Sequence, residues 1–162
     1  GLVIEGGGAR AIYTAGILDV FMENDIHFDG IIGVSAGALH GGNFLAGQKG
    51  RTVAYMTRFC NDPRYMSMRS LLKTGCLFNT DFCYRRIPDE FYPFDYDTYE
   101  RNYANCPFYV GCSDYITGEP IYLPIPSFRK NQGMDIIRAS ASLPFVSVPV
   151  NVDGRLLVDG GV

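Results

Sequence analysis

The first fifty residues constrain the fold most, because strand-like and helix-like segments alternate there and glycines separate them. Leu2 to Glu5 predicts a short apolar strand, and apolar residues at three- and four-residue spacing from Ile12 to Met22 predict an amphipathic helix. Phe28 to Val34 predicts a second strand, and a second helix opens at Ser35 and ends near Gly47. This order predicts a βαβ unit with parallel strands, because parallel neighbours need a crossover connection.

Length and composition narrow the class of protein. The chain has 162 residues, 47% of them hydrophobic, which suits one domain with a sizeable core and argues against intrinsic disorder. A net charge of −3 argues against a dedicated nucleic-acid binder, which would carry a basic excess. No apolar run approaches the roughly 18 residues that a membrane-spanning helix needs. The five cysteines form no CxxC pair, which favours reduced thiols over a metal cluster.

The segment 51–107 differs in character from the rest of the chain. It holds 12 of the 22 Phe and Tyr residues, with basic residues concentrated in 51–86 and acidic residues in 87–100. We interpret it as helical and irregular material inserted over the sheet. Strand patterns resume after it, and the elements predicted there are Phe108–Cys112, Pro120–Leu123, a helix over Gly133–Ser142, and a hairpin of Val150–Val152 and Leu156–Val158 around Asp153-Gly154.

A GxSxG pentapeptide, Gly33-Val34-Ser35-Ala36-Gly37, lies between the second predicted strand and the second helix. In that context a sharp strand-to-helix turn strains the central residue and exposes its hydroxyl group. The amides at the N-terminus of the following helix favour negative charge beside it. Ser35 is therefore a candidate nucleophile, and an ordinary tight connection is the alternative interpretation of the same five residues.

Two further glycine-rich segments follow predicted strands. Gly6-Gly7-Gly8 leaves backbone N–H groups unshielded, and such a loop can hold an oxyanion or a phosphate group. It lacks the lysine of a Walker loop and the GxGxxG spacing of a dinucleotide site. Arg10 is a candidate to contact an anionic group of a ligand. Asp159-Gly160-Gly161 follows the last predicted strand, where the carboxylate either points into a site or belongs to a simple turn.

Histidine is scarce, with only His27 and His40 in the chain. An α/β-hydrolase triad runs Ser, then Asp or Glu, then His, and no histidine follows His40. His40 stands five residues after Ser35 on the same predicted helix and is expected to project away from it. Either a histidine outside this sequence completes a triad, or an aspartate acts directly as the base.

The three motifs, in this order, resemble the patatin-like phospholipase family, and Arg138–Pro144 is similar to the Ala- and Ser-rich, Pro-ended block before the catalytic aspartate of that family. The resemblance implies a three-layer α/β/α fold with a mainly parallel central sheet. It also implies a Ser-Asp dyad that hydrolyses acyl esters of lipids. Carried over residue by residue, Ser35 is the nucleophile, Asp159 is the base, and the oxyanion hole is formed by Gly6, Gly7 and Gly8. Ala11 departs from the pattern, because the family often has glycine there.

The resemblance sets further expectations. We expect a single patatin-like domain over 1–162, a fragment lacking C-terminal residues, with 51–107 as an aromatic-rich insertion or lid-like segment. The expected partner is a phospholipid or another acyl ester bound with help from Arg10, with no cofactor, no metal and no nucleic acid. We expect a cytoplasmic protein in peripheral contact with a membrane surface, where the basic stretch 51–86 meets anionic head groups. The alternatives are a non-catalytic lipid- or anion-binding module on the same fold, and a phosphate or nucleotide binder.

Overall fold

The structure is a computed structural model that describes residues 1–129 and 131–162, and it contains a six-stranded sheet with helices packed on it. The strands are β1 (Leu2–Ile4), β2 (Ile31–Val34), β3 (Phe108–Asp114), β4 (Pro120–Pro124), β5 (Val150–Val152) and β6 (Arg155–Asp159). The α-helices are α1 (Ile12–Glu23), α2 (Ala36–Leu45), α3 (Arg51–Phe59), α4 (Met68–Thr74), α5 (Tyr96–Tyr103) and α6 (Asn131–Ser140). A 3₁₀ turn covers Gly8–Ala11, and a π-helix covers Phe82–Phe91.

The sheet combines a parallel part and an antiparallel part. β1, β2 and β3 run parallel, as the βαβ pattern predicted, and β3 pairs antiparallel with both β4 and β6. β5 closes the sheet as an antiparallel partner of β6. The main core includes buried side chains of β2, β3, α6 and β6, among them Ile31, Phe108, Ile137 and Leu157. The α/β architecture expected for the chain is confirmed.

Several predicted element boundaries were wrong by a few residues. β2 begins at Ile31 rather than Phe28, because the ring of Phe28 packs between Phe21 and Phe44 before the strand starts. α6 covers Asn131–Ser140 rather than Gly133–Ser142. Local periodicity does not locate such ends, because contacts with distant residues decide them.

The segment 51–107 builds a second, smaller hydrophobic cluster of its own. Its buried members are Tyr55, Phe59, Phe82 and Ile87, and the rings of Phe59 and Phe82 meet edge to face with centroids 5.1 Å apart. Three arginines of the basic stretch stack on aromatic rings at the edge of this cluster, namely Arg58, Arg64 and Arg86. Part of the basic charge predicted to face head groups is therefore engaged with aromatic rings. None of the helices described is long and apolar enough to cross a membrane.

Candidate active site

Ser35 occupies a strained turn between β2 and α2. Its backbone has φ 55° and ψ −124°, outside the regions that L-residues favour, which costs about 1–3 kcal/mol. A Cβ at Gly37 would lie 2.3 Å from the carbonyl oxygen of Ile4, and one at Gly33 would lie 2.7 Å from the Cα of Ala38. Both flanking positions of the pentapeptide therefore require glycine for the turn to close.

The sheet brings Ser35 and Asp159 together from opposite directions. β2 and β6 share one edge of β3, because β4 occupies the other edge. Val34, the last residue of β2, pairs with Gly111, whereas Asp159, the last residue of β6, pairs with Cys112. The two strands thus meet end to end beside adjacent residues of β3, and Ser35 and Asp159 stand at that junction.

The Asp159 carboxylate is buried with one oxygen left unpaired. The residue is 3% exposed, and its Oδ1 accepts a hydrogen bond from the Gly161 N–H at 2.9 Å. Oδ2 accepts no hydrogen bond from any residue that the structure describes, Ser35 included. Burial, and secondarily the negative charge of Asp159, raise the pKa of the neighbouring Cys112 thiol to about 12. A buried carboxylate oxygen without a hydrogen-bond partner is costly, and it is free to accept a hydrogen bond from a hydroxyl group that reaches it.

Ser140, the last residue of α6, and Ser142, in the loop that follows, connect the two candidate residues. The Ser35 N–H donates to Ser140 Oγ at 2.8 Å, and the Ser140 hydroxyl donates to the Gly111 carbonyl at 2.6 Å. The Asp159 N–H donates to the Ser142 carbonyl at 3.0 Å. The sequence predicted no role for Ser140. The only signal was that Ser140 lies in the Ala- and Ser-rich block Arg138–Pro144, which resembles a block of a known family.

The glycine loop lies directly against Ser35. A Cβ at Gly6 would lie 2.9 Å from the Cβ of Ser35, and Gly8 lines the same pocket as Ser35. The N–H groups of Gly7 and Gly8 donate to no acceptor within the described parts of the chain. Arg10, by contrast, is exposed and lies outside the pocket lining.

Ser35 lines an apolar pocket of about 220 Å³. The segment 51–107 supplies much of its wall, and the large apolar side chains around it include Leu39, Tyr55, Met66, Phe78, Phe94 and Phe128. Such a lining suits a hydrocarbon chain, because apolar surface is removed from water on binding. Asp159 is not part of the lining, so the carboxylate is screened from the pocket interior.

His40, whose spacing predicted that it projects away from Ser35, also lies in the pocket wall. It is 2% exposed, and burial lowers its pKa to about 4, so it is neutral at pH 7. Its Nδ1 has no hydrogen-bond partner in residues 1–129 and 131–162. It makes no hydrogen bond to Ser35, and His27 is exposed elsewhere. No group of three His, Cys, Asp or Glu side chains among the described residues is suited to hold a metal ion.

Acid should destabilise the protein through His40. In the unfolded chain a histidine has a pKa near 6.5, so between pH 6.5 and 4 the unfolded state binds more protons than the folded state. Stability therefore falls as the pH drops through this window, by about 2 kcal/mol from this group at pH 5. Urea unfolding at pH 7 and pH 5 should show that His40→Leu loses less stability than the wild type, whereas His27→Gln behaves like the wild type. Equal losses in all three proteins would contradict this assignment.

Comparison with known proteins shows which family the chain resembles. The family model described as patatin-like phospholipase matches residues 2–162. An uncharacterized protein of Escherichia coli (strain K12), YjjU, is 30% identical over 99% of this chain and 45% of its own length. An uncharacterized NTE family protein of Mycobacterium tuberculosis is 25% identical over 99% of this chain and 42% of its own length.

Lysophospholipase NTE1 of Cryptococcus neoformans is 31% identical over 99% of this chain, which corresponds to 10% of that protein. This chain therefore spans less than half the length of each of these relatives. The match to the family model nevertheless extends over nearly all of its residues. The chain belongs to the patatin-like phospholipase family.

Proposed function

We propose that this chain is a serine acyl-ester hydrolase that acts on phospholipids or lysophospholipids through an acyl-serine intermediate on Ser35. The observation that supports it most directly is the end-to-end meeting of β2 and β6, which places a strained serine beside a buried carboxylate with an unpaired oxygen. Membership of the family and the relative named as a lysophospholipase favour a lipid ester as substrate. The apolar pocket beside Ser35 suits its acyl chain.

The mechanism assigns one task to each group. Asp159 Oδ2 accepts the hydroxyl proton as Ser35 Oγ attacks the ester carbonyl carbon. The free N–H groups of Gly7 and Gly8 hold the negative charge that develops on the carbonyl oxygen. The alcohol leaves with the proton and an acyl-serine remains. Water then attacks the acyl-serine with Asp159 as base, and the fatty acid is released. Arg10, exposed beyond this loop, would contact an anionic group of the alcohol part.

The test is reaction with a fluorophosphonate probe followed by intact mass spectrometry and peptide mapping. We expect one adduct, on the peptide that contains Ser35, and release of fatty acid from a lysophospholipid by the unlabelled protein. A protein that binds lysophospholipid vesicles, takes up no probe and releases no fatty acid would instead be a non-catalytic binding module. Nucleotide binding without either activity would favour a phosphate site at the glycine loop.

Ser140 is expected to act as a positioning residue for Ser35. Ser140→Ala removes the acceptor for the Ser35 N–H and the donor to Gly111, so the strained turn loses its main tether. We expect kcat to fall about tenfold or more, with a stability loss of about 1–3 kcal/mol. The matched variant is Ser142→Ala, because the Ser142 hydroxyl donates to the Arg138 carbonyl within its own segment. If both variants lose stability equally and kcat equally, Ser140 has only a structural role.

Exposed apolar side chains close in the chain to the pocket-lining residues Met66 and Leu143 favour contact with a membrane. We define the apolar anchors as Met68, Leu72 and Phe145, which are 63%, 84% and 99% exposed. Phe145 is held at φ 70°, an unfavourable conformation for an aromatic residue. Arg69 and Lys73 stand beside the apolar residues of α4, so this surface combines apolar anchors with positive charge.

Vesicle binding tests the apolar anchors. The double change Leu72→Glu and Phe145→Glu should weaken binding to phosphatidylcholine vesicles containing phosphatidylserine by at least about tenfold. It replaces two apolar anchors with carboxylates, which the negatively charged phosphatidylserine repels. Tyr13→Glu introduces one charge at an exposed aromatic residue on α1 and serves as the control. Vesicle flotation measures the bound fraction. If Tyr13→Glu weakens vesicle binding as much as the double change does, the protein contacts the membrane through a different surface.

A further inference from the structure

The pocket beside Ser35 contains a cation that the proposed mechanism does not use. Arg51, the first residue of α3, is part of the pocket lining. Its Nε and Nη2 donate to the Tyr92 carbonyl at 2.9 and 2.6 Å, and its Nη1 donates to the side-chain oxygen of Asn43. The guanidinium carbon stands 5.5 Å from the ring centre of Tyr55 and 5.4 Å from that of Phe94.

The charge of Arg51 is not neutralised within the described chain. All the ion pairs formed by residues 1–129 and 131–162 involve other side chains, and no carboxylate lies within 4.0 Å of this guanidinium. Its two acceptors are a neutral amide and a backbone carbonyl, and burial lowers its pKa. Three of the five guanidinium N–H groups are engaged, which leaves two for a ligand. A partly buried cation without a counter-charge is costly, and an entering carboxylate offsets that cost.

Other polar groups lie in the same pocket wall. His40 and Asn43 are 2% and 5% exposed, and the His40 Nδ1 has no partner among the described residues. Both belong to α2 and line the pocket together with Arg51. Most of the remaining lining is aromatic or aliphatic, so these polar groups contrast with the surface around them. Unpaired polar atoms in an otherwise apolar pocket indicate a specific polar group in the ligand.

The spacing along α2 indicates where that group lies relative to the scissile ester. Asn43 stands eight residues after Ser35, and a helix rises about 1.5 Å per residue, so the Asn43–Arg51 pair lies about 12 Å from Ser35 along the helix. With carbon–carbon bonds of about 1.5 Å, an extended acyl chain of roughly eight to ten carbons covers this distance.

We propose that the pocket selects acyl chains of medium length whose far end carries a carboxylate, and that Arg51 and Asn43 bind that carboxylate. The substrates would be half-esters of dicarboxylic acids of roughly eight to ten carbons. The carboxylate accepts hydrogen bonds from the two remaining guanidinium N–H groups and gives the partly buried charge a counter-ion. The inference rests on the proposed function, because it takes Ser35 as the group that attacks the ester.

The kinetic test compares two chromogenic esters of equal length, the mono-4-nitrophenyl ester of decanedioic acid and 4-nitrophenyl decanoate. We expect the wild type to favour the carboxylate ester by at least about tenfold in kcat/KM, as a charge-assisted pair allows. Arg51→Met, which keeps the length of the side chain without its charge, should lower that ratio to about one or below. Arg58→Met removes an exposed arginine from the same helix outside the pocket, and it should retain the wild-type ratio.

A binding test separates this inference from the proposed function. Monomethyl decanedioate should bind the Ser35→Ala protein in calorimetry, and binding should weaken at least about tenfold when Arg51→Met is added. Arg51-dependent binding without any ester hydrolysis would support the anion site and reject the hydrolase. Hydrolysis of both esters with no Arg51-dependent preference would reject the anion site and support the hydrolase. Absence of both hydrolysis and Arg51-dependent binding would overturn both proposals.

A second set of measurements tests the proposed carboxylate site if the Arg51→Met protein does not fold. Arg51→Lys retains a charge without the planar fork, so it should keep a weakened preference. In the wild type, the preference for the carboxylate ester should be greatest near ten carbons and disappear for the butanedioic half-ester, whose carboxylate cannot reach Arg51. A preference that does not depend on chain length would overturn the assignment to Arg51.

Discussion

Ser35→Ala is expected to lower the turnover of ester substrates by about four orders of magnitude or more and to abolish labelling by fluorophosphonates. The hydroxyl is the attacking group of the proposed mechanism, so without it only the oxyanion loop and the pocket can assist a water molecule. The fold should persist, because the contacts that hold this turn come from the backbone N–H and from the two flanking glycines. The measurement is fatty-acid release from lysophospholipid, with circular dichroism on the same preparation.

The matched control for Ser35→Ala is Ser113→Ala. Ser113 is also a buried serine, on β3, and its hydroxyl donates to the Val162 carbonyl at 3.1 Å. We expect this variant to keep labelling and turnover near the wild-type level. Turnover that survives in Ser35→Ala would show that another group attacks the ester, and the proposed function would then lose its nucleophile.

Asp159→Asn should separate catalysis from stability. The amide retains the shape of the carboxylate and an oxygen for the Gly161 N–H, but it cannot take a proton from the Ser35 hydroxyl. We expect turnover to fall by about three orders of magnitude or more, as when a catalytic base is replaced. Stability should stay equal or rise, because the change removes a buried charge whose Oδ2 has no partner among the described residues.

Turnover and thermal unfolding, measured on one preparation, check both expectations. Asp153→Asn is the control, since Asp153 occupies the exposed turn between β5 and β6 and lies away from Ser35. An Asp159→Asn protein with nearly normal turnover would mean that a different base serves Ser35. A protein that instead unfolds would show that the carboxylate holds the β6 end in place.

Elements with a strong local signal were predicted well from the chain alone. α1 and β1 follow from apolar spacing, and the hairpin of β5 and β6 follows from Asp153-Gly154, where both residues take positive φ. The position of Ser35 between a strand and a helix was predicted in the same way. The spacing of apolar residues is typical of a strand before the pentapeptide and of a helix after it. The start of β2 was not predicted correctly, because an apolar residue such as Phe28 fits either a strand or a cluster of aromatic rings.

The parts of the candidate site that link distant residues were not predictable. Ser140 lies 105 residues from Ser35, and nothing in its neighbours indicates that it accepts the Ser35 N–H. His40 was expected to project away from Ser35, and no hydrogen bond joins the two among the described residues; both nevertheless line one pocket, whose wall also contains residues of 51–107. Arg51 was counted within a basic surface stretch, but its guanidinium is held in the pocket by Asn43 and Tyr92.

The sequence by itself determined the order of the strands and of the helices outside 51–107, and the strained serine turn. Its resemblance to a known family supplied the candidate nucleophile and base. The element order and the turn depend on residues close in the chain, such as the two glycines that allow the turn at Ser35. Only the tertiary structure decided that β2 and β6 meet end to end on one edge of β3 and that an apolar pocket with an unneutralised arginine extends beside Ser35. Those features arise from contacts between residues far apart in the chain, and local patterns of polarity do not specify them.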